Sequence, residues 1–274
     1  MNNGEDREAE QQKGEDGRAI QKVLITGAAG YLAGFVIERL RSRYELTLTD
    51  RVEPKVGANN RFPQRGLPFM LGDVTSYHDV EIVCAGQDAI VHTVALVRER
   101  FDKPPWLFSD VMVKGTWNIT EACVKQGVKR LVNISSIVAC GWPLGSDQPY
   151  QVDDPSRFRP GDLSYCLAKR LGEQVGYAYH QAYGLSVIHL RPGVIAGDGL
   201  NPGPKAPEDP RKPWFVYVDP RDIAQAVERV LETDVAYGCY QIVAGRRDTL
   251  FDWTQAAQEL GYYPEYNWHE IPDG

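Results

Sequence analysis

The stretch from residue 22 to residue 40 constrains the fold more than any other part of the chain. The apolar run Lys22-Val23-Leu24-Ile25-Thr26 leads straight into Gly27-Ala28-Ala29-Gly30. From residue 31 to 41, apolar side chains (Leu32, Phe35, Val36, Leu40) recur at helical spacing. This reads as strand, tight turn, helix. A strand apolar on both faces belongs inside a sheet that is covered on both sides, which is the habit of parallel sheets.

The alternation continues. Strands are expected at 45–49, 69–71, 89–94 and 130–134, and helices at 77–85 and 106–126, with Gly127 placed to end the second helix. A helix at 164–183, stopped by Gly184, precedes a strand at 185–190. Residues 197–213 are rich in Gly and Pro and read as a loop. Then come a strand at 214–218, a helix at 222–231, a strand at 240–243 and a helix at 252–260. The expected class is α/β: a Rossmann-type doubly wound parallel sheet with a small C-terminal substrate lobe. The expected division is a disordered polar tail at 1–19, a core at 20–192, and a short lobe at 193–274 packed on that core.

Composition narrows the partners. The chain has 274 residues, of which 43% are apolar and 24% charged, with a net charge of -7. This balance lacks the basic patch that nucleic-acid binding requires. The longest apolar run, residues 89–97, is interrupted by His92 and Thr93 and is too short to span a bilayer. Residues 1–18 are polar and acidic, without the apolar stretch of a signal peptide. Cys84, Cys123, Cys140, Cys166 and Cys239 are scattered, with no CxxC and no zinc spacing. They read as reduced thiols in a cytoplasmic protein, and no metal is expected.

Two constellations carry chemistry. Glycines at 27 and 30 let the backbone approach an anion closely, and the helix that follows offers free N–H groups to a pyrophosphate. Asp50, about twenty residues on, closes the second strand, where a carboxylate can accept from two ribose hydroxyls and repel a 2′-phosphate. Arg51 would attract that phosphate, so the two neighbours oppose each other. Further along, Tyr165 and Lys169 lie four apart on the expected helix and so share a face. A phenol is too weakly acidic to serve as a base at neutral pH unless a nearby ammonium stabilises the phenolate. Ser136, expected to close the fifth strand, supplies a hydroxyl at the same sheet edge.

In this order the motifs resemble the extended short-chain dehydrogenase/reductase family, the NAD-dependent epimerase/dehydratase group. The matching pieces are Thr26 to Leu32, Gly72-Asp73-Val74, Lys114 to Ile119, Ser135-Ser136 with Gly141, Tyr165 to Lys169, Leu190-Arg191-Pro192-Gly193, and Val216 to Ala224. The resemblance implies that Gly27, Gly30, Tyr31 and Leu32 line the pyrophosphate of NAD, with NADP the less favoured cofactor. Asp50, with Arg51 beside it, would meet the adenosine ribose, and Asp73 and Val74 the adenine. Lys169 would hold the nicotinamide ribose, and Pro192 to Val194 would flank the nicotinamide. Ser136, Tyr165 and Lys169 would be the catalytic residues.

Three departures from the family pattern are informative. Ala33 replaces a third glycine, and Met112 stands where an asparagine is usual. Ile137 and Val138 occupy the positions of an acid–base Asp-Glu pair in family dehydratases. Aliphatic side chains transfer no protons, which argues against dehydration. The short final lobe suggests a small substrate, with Ser136, Ile137, Trp142 and Arg211 as candidate contacts; Trp142 could equally pack under the following loop, and Arg211 with Lys212 reads as a solvated basic pair that could also meet a carboxylate. His92 is expected to be a satisfied core histidine. The resemblance further implies a homodimer through the 106–126 and 164–183 helices. The leading expectation is net, NAD-dependent interconversion of a secondary alcohol (a sugar, sugar acid or similar small molecule) and its ketone. An epimerase with tightly held NAD, and a non-catalytic NAD sensor, are the alternatives.

Overall fold

The computed structural model describes residues 19–54, 66–96, 103–143, 149–154, 156–196 and 216–267. The expected polar tail, the 197–213 loop, Arg211, Lys212 and Trp214 lie outside these residues.

Strand β1 (Lys22–Thr26) is buried along its apolar length and pairs in parallel with β2 (Glu45–Asp50) on one side and β4 (Ala89–His92) on the other. The short β3 (Phe69–Leu71) extends the β2 side. On the far side β5 (Arg130–Ile134), β8 (Ser186–Pro192) and β11 (Tyr237–Ile242) follow, giving a seven-stranded sheet in the order β11-β8-β5-β4-β1-β2-β3. Every pairing in it is parallel. The strand order reverses between β1 and β4. In an open parallel sheet that reversal opens a crevice at the carboxyl ends of the strands.

Because both faces are buried, successive residues of one strand serve different cores. Val23 and Ile25 of β1, Val91 of β4 and Leu190 of β8 pack with helices α1 (Tyr31–Leu40) and α6 (Pro220–Glu232). Leu24, Ile90, Leu131 and Val187 pack on the opposite face with α2 (Tyr77–Cys84) and α4 (Gly115–Gln126). A third cluster gathers near the carboxyl edge around Phe108, Met112, Ile137, Tyr165 and Phe251.

The expected helix over 106–126 is not regular. A turn of α-helix, α3 (Pro105–Phe108), runs into a π-helical stretch at Ser109–Lys114 and then into α4. The amide of Gly115 bonds back five residues to the Asp110 carbonyl. Two side-chain facts accompany the widened turn. Thr116 Oγ1 donates to the Met112 carbonyl at 2.6 Å, and Gly115 packs so closely on Val74 that an added Cβ would lie 2.7 Å from Val74 Cγ2.

Other boundaries shift for local reasons. Ser136 is not in β5, which stops at Ile134; it caps a 3-10 turn at Ile137–Cys140 instead. Helix α5 (Leu163–Tyr183) begins one residue early. Helix α6 starts at Pro220, not 222, because Asp219 accepts from the Arg221 amide and Pro220 takes the first helical position. Helix α7 (Thr254–Leu260) starts two residues late, since Asp252 Oδ1 accepts from Thr254 N ahead of it. β11 begins at Tyr237, three residues earlier than apolarity indicated, because pairing with β8 extends beyond the buried part.

Residues after 193, expected as an appended lobe, divide between two places. Helix α6 and β11 join the main layers. Two short strands, β9 (Val194–Ile195) and β10 (Tyr217–Val218), pair separately. Only Tyr217–Val218 of the expected 214–218 strand is extended among the described residues. A further small ribbon, β6 (Trp142–Pro143) with β7 (Ser156–Arg157), lies beyond Ser136.

Candidate active site

The turn after β1 forms a cradle that side chains would fill. Gly27 has φ +72°, and a Cβ there would lie 2.8 Å from Thr93 Oγ1 and 3.1 Å from the Val94 amide. Left-handed backbone and close approach both require glycine at this position. Gly30 then caps α1 in extended conformation, its amide bonded to the Gly27 carbonyl at 2.9 Å.

Asp50 stands at the end of β2 against this turn. Its Oδ2 accepts from Ala29 N at 3.0 Å and its Oδ1 from Val52 N at 3.3 Å. Asp73 caps its own turn by accepting from Thr75 N at 2.8 Å. Val74 is held from behind, its carbonyl accepting from Asn118 Nδ2 at 2.8 Å. Gly27, Gly30, Asp50, Arg51, Asp73 and Val74 all line one open cleft. Tyr31 and Leu32 open α1, but their side chains face elsewhere. Leu32 packs in the core, and the Tyr31 ring meets Phe35 edge-on at 5.3 Å.

Sequence reasoning missed the far wall of the cleft: Thr93, Val94, Ala95 and Leu96, with Val111 of the π turn. The available signal was topological. A segment leaving β4 must border the reversal point once β4 pairs with β1. Thr93 Oγ1 also donates to the Thr26 carbonyl at 2.7 Å, joining the two strand ends.

Behind this wall, His92 is fully buried as expected. Thr116 Oγ1 has given its hydrogen to Met112, so it accepts from His92 Nε2 at 3.3 Å. His92 Nδ1 therefore accepts from Thr26 Oγ1, at 2.7 Å. Burial, aided by the charge of Lys169, pushes its pKa down to about 3, so it is a neutral strut between β1, β4 and α4.

Lys169 reaches the end of β5, Ser136 lies just past it, and Tyr165 packs on the 3-10 turn that follows. Ser136, Tyr165 and Lys169 are each less than a tenth exposed. Lys169 Nζ donates to the Ile134 carbonyl at 2.6 Å, anchoring α5 two residues short of Ser136. Ser136 Oγ accepts from Val138 N at 3.4 Å, leaving its hydroxyl hydrogen to donate. Tyr165 shares the apolar cluster of Ile137 and Val138. Burial pushes the Lys169 pKa down to about 8, and Glu173 opposes the shift. The ammonium form still predominates at neutral pH.

Of the expected substrate contacts, Ile137 is buried in the same cluster. Trp142 is engaged within the chain: its Nε1 donates to Asp162 Oδ2 at 2.8 Å, and the Arg159 guanidinium lies 4.5 Å over its ring. The neighbouring strand, β8, ends at Pro192. Gly193 leaves no room for a side chain, since a Cβ would collide with the Val216 carbonyl oxygen. Val194 follows, about half exposed.

A glycine cradle at the reversal point of a parallel sheet, with a carboxylate closing β2, defines a dinucleotide-binding Rossmann fold, and Tyr165 and Lys169 lie one turn apart on α5. The chain belongs to the NAD dependent epimerase/dehydratase family, which matches residues 23–209. Two relatives illustrate its range. The uronate dehydrogenase of Pseudomonas putida is 28% identical over 253 residues, covering 90% of this chain and 84% of that one. The UDP-glucose 4-epimerase of Vibrio cholerae is 26% identical over 188 residues, covering 68% of this chain and 55% of the epimerase, so the match spans about half that protein's length. The crystal structure of uronate dehydrogenase from Agrobacterium tumefaciens has the same fold, with a TM-score of 0.71, 23% identity, and coverage of 90% of this chain and 85% of that one.

Proposed function

We propose that this protein is an NAD-dependent oxidoreductase that converts a secondary alcohol of a small polar substrate, a sugar or sugar acid, to the carbonyl compound and releases NADH. The observation that supports the reading is the anchoring of α5: Lys169 is tied to the Ile134 carbonyl two residues before Ser136, and Tyr165 packs with Ile137 and Val138 just beyond. The Pseudomonas putida relative, matched over most of both chains, supplies the substrate class.

Bound NAD supplies the hydride acceptor. Gly27 and Gly30 would admit its pyrophosphate to the N-terminus of α1, with the backbone of Tyr31 and Leu32 alongside. Asp50 would accept from the adenosine ribose hydroxyls, its charge disfavouring NADP, while Arg51, Asp73 and Val74 border the adenine end. Lys169 would hold the nicotinamide ribose, and Pro192 and Val194 would flank the ring. Ser136 donates its free hydroxyl hydrogen to the substrate oxygen and fixes it. Tyr165, ionised with the help of the Lys169 ammonium, takes the alcohol proton as the C–H bond yields its hydride. Ile137 and Val138 offer no acid or base, so oxidation stops at the carbonyl. Trp142 and Arg211 are the proposed outer contacts of the substrate.

The epimerase relative supports a second reading, in which NAD stays bound and the carbonyl is reduced again. Incubation with NAD and a panel of aldoses and uronic acids separates the two. Net NADH accumulation is expected; inversion of a hydroxyl without NADH would replace oxidation by epimerisation.

We place the enzyme in the cytoplasm, a setting in keeping with its five cysteines, all thiols. Among the described residues, no helix is long and apolar enough to cross a membrane. A homodimer is the proposed assembly. Leu163, Leu167 and Leu171 recur every four residues along α5 and stand about two-fifths exposed. Trp106 and Trp117 are more than half exposed on α3 and α4. Burying such a stripe against its copy removes apolar surface from water.

A further inference from the structure

One turn beyond Lys169, α5 carries a second buried charge. Glu173 is 1% exposed. Its Oε1 accepts from Ser135 Oγ at 2.6 Å and from Arg191 Nε at 2.8 Å, and its Oε2 accepts from Arg191 Nη2 at 2.9 Å. Arg191 Nη1 donates onward to the Val152 carbonyl at 3.0 Å. Ser135 adjoins Ser136, and Arg191 leads into Pro192, Gly193 and Val194. One carboxylate thus ties together the strand end bearing Ser136, the helix bearing Tyr165 and Lys169, and the strand that runs to the nicotinamide side.

A paired guanidinium and carboxylate fix orientation as well as distance. As a source of stability such a pair is poor, because desolvating two charges offsets their attraction, and apolar side chains of equal volume often do better. Its location therefore matters more than its energy. With Lys169 bonded to Ile134 and Ser135 bonded to Glu173, two successive turns of α5 are pinned to the last residue of β5 and the one after it.

We propose that Glu173 and Arg191 are positioning residues that hold α5 in register with the end of β5 and keep the buried Lys169 in its ammonium form. The second part rests on the functional reading above; the first rests on geometry alone. The groups around Lys169 leave this task to Glu173. From β4 comes His92, neutral at any working pH. His189 of β8 is pushed by burial down to about 4, and the Cys140 and Cys239 thiols are pushed up by burial, so all three are uncharged at neutral pH. Arg191 and Arg170, both beside Glu173, are cations and cannot favour a further one, and Tyr165 lies one turn back on the same helix. Glu173 is the anion that opposes the burial of Lys169.

The test reads Lys169 directly. In full-length protein with isotope-labelled lysines, the Lys169 side-chain resonance is assigned with Lys169→Arg and titrated by NMR with NAD present. Glu173→Gln is expected to lower the midpoint by at least about half a pH unit, since an opposite charge no longer favours the charged form. Because a stranded Arg191 could unfold that variant, the Glu173→Gln/Arg191→Met double variant is titrated beside it. It removes both charges and should show a smaller downward shift, since the repulsion of Arg191 goes with the attraction of Glu173, at a wild-type melting temperature. An unmoved midpoint in a folded double variant would overturn the proposal, leaving the pair as packing only. Retained turnover in Tyr165→Phe would instead refute the functional reading, and the two failures are read in separate experiments.

Discussion

Asp222 shows how one buried carboxyl can make stability depend on pH. It is 1% exposed in the first turn of α6, where its oxygens accept from the amides of Glu265 and Tyr266 at 2.9 and 3.1 Å. It thereby clasps the segment that follows α7. Burial pushes its pKa up; the two amides oppose this, Asp219 and Glu265 add to it, and the value reaches about 7. The ordinary value is 3.8, so between about pH 4 and 7 the unfolded chain has already lost this proton while the folded one keeps it. Stability from this group is therefore greatest at acid pH and falls as pH rises through 7. Melting temperature followed from pH 4 to 8 should fall less steeply in Asp222→Asn than in the wild type. Parallel slopes would show that Asp222 is ionised throughout.

At the scale of elements, the crevice depends on the turn between β1 and α1. Gly27→Ala places a Cβ 2.8 Å from Thr93 Oγ1 and forces an L side chain to φ +72°. That conformation alone costs on the order of 1–3 kcal/mol. The variant should melt lower, and because its methyl also occupies the cradle it should bind NAD at least about tenfold more weakly by calorimetry. Unchanged affinity would place the pyrophosphate elsewhere. This turn was legible in the sequence because its signals are local: glycines between an apolar run and a helical repeat, and an acid about twenty residues on. The Tyr165–Lys169 spacing was legible for the same reason. The Asp219-Pro220 start of α6 was also local, a cap followed by a proline, yet the apolar repeat alone set that boundary too late. What stayed hidden depends on partners distant in the chain. The π turn goes with the Gly115–Val74 contact and the Thr116–Met112 bond. The Glu173–Arg191 pair joins residues on different elements, and the 93–96 wall becomes a wall only once β4 lies beside β1. The half-exposed start of β11 has no apolar pattern to mark it, only a register with β8.

At the scale of the whole molecule, the proposed function joins the crevice, the anchored helix and the exposed α5 stripe in one catalytic unit. The apolar stripe predicts association. Leu167→Glu puts a charge in its middle, and sedimentation should show wild-type dimer and variant monomer; a monomeric wild type would leave the stripe without this use. The central claim is that Tyr165, supported by Lys169 and Ser136, moves the proton that accompanies hydride transfer to NAD. The most direct measurement is NADH absorbance with NAD and uronic acids, wild type beside Tyr165→Phe, with NAD affinity measured on both. The account requires that the wild type form NADH and that the variant lose turnover by a factor of about a hundred or more while binding NAD nearly as well. Equal turnover in the two proteins would contradict it.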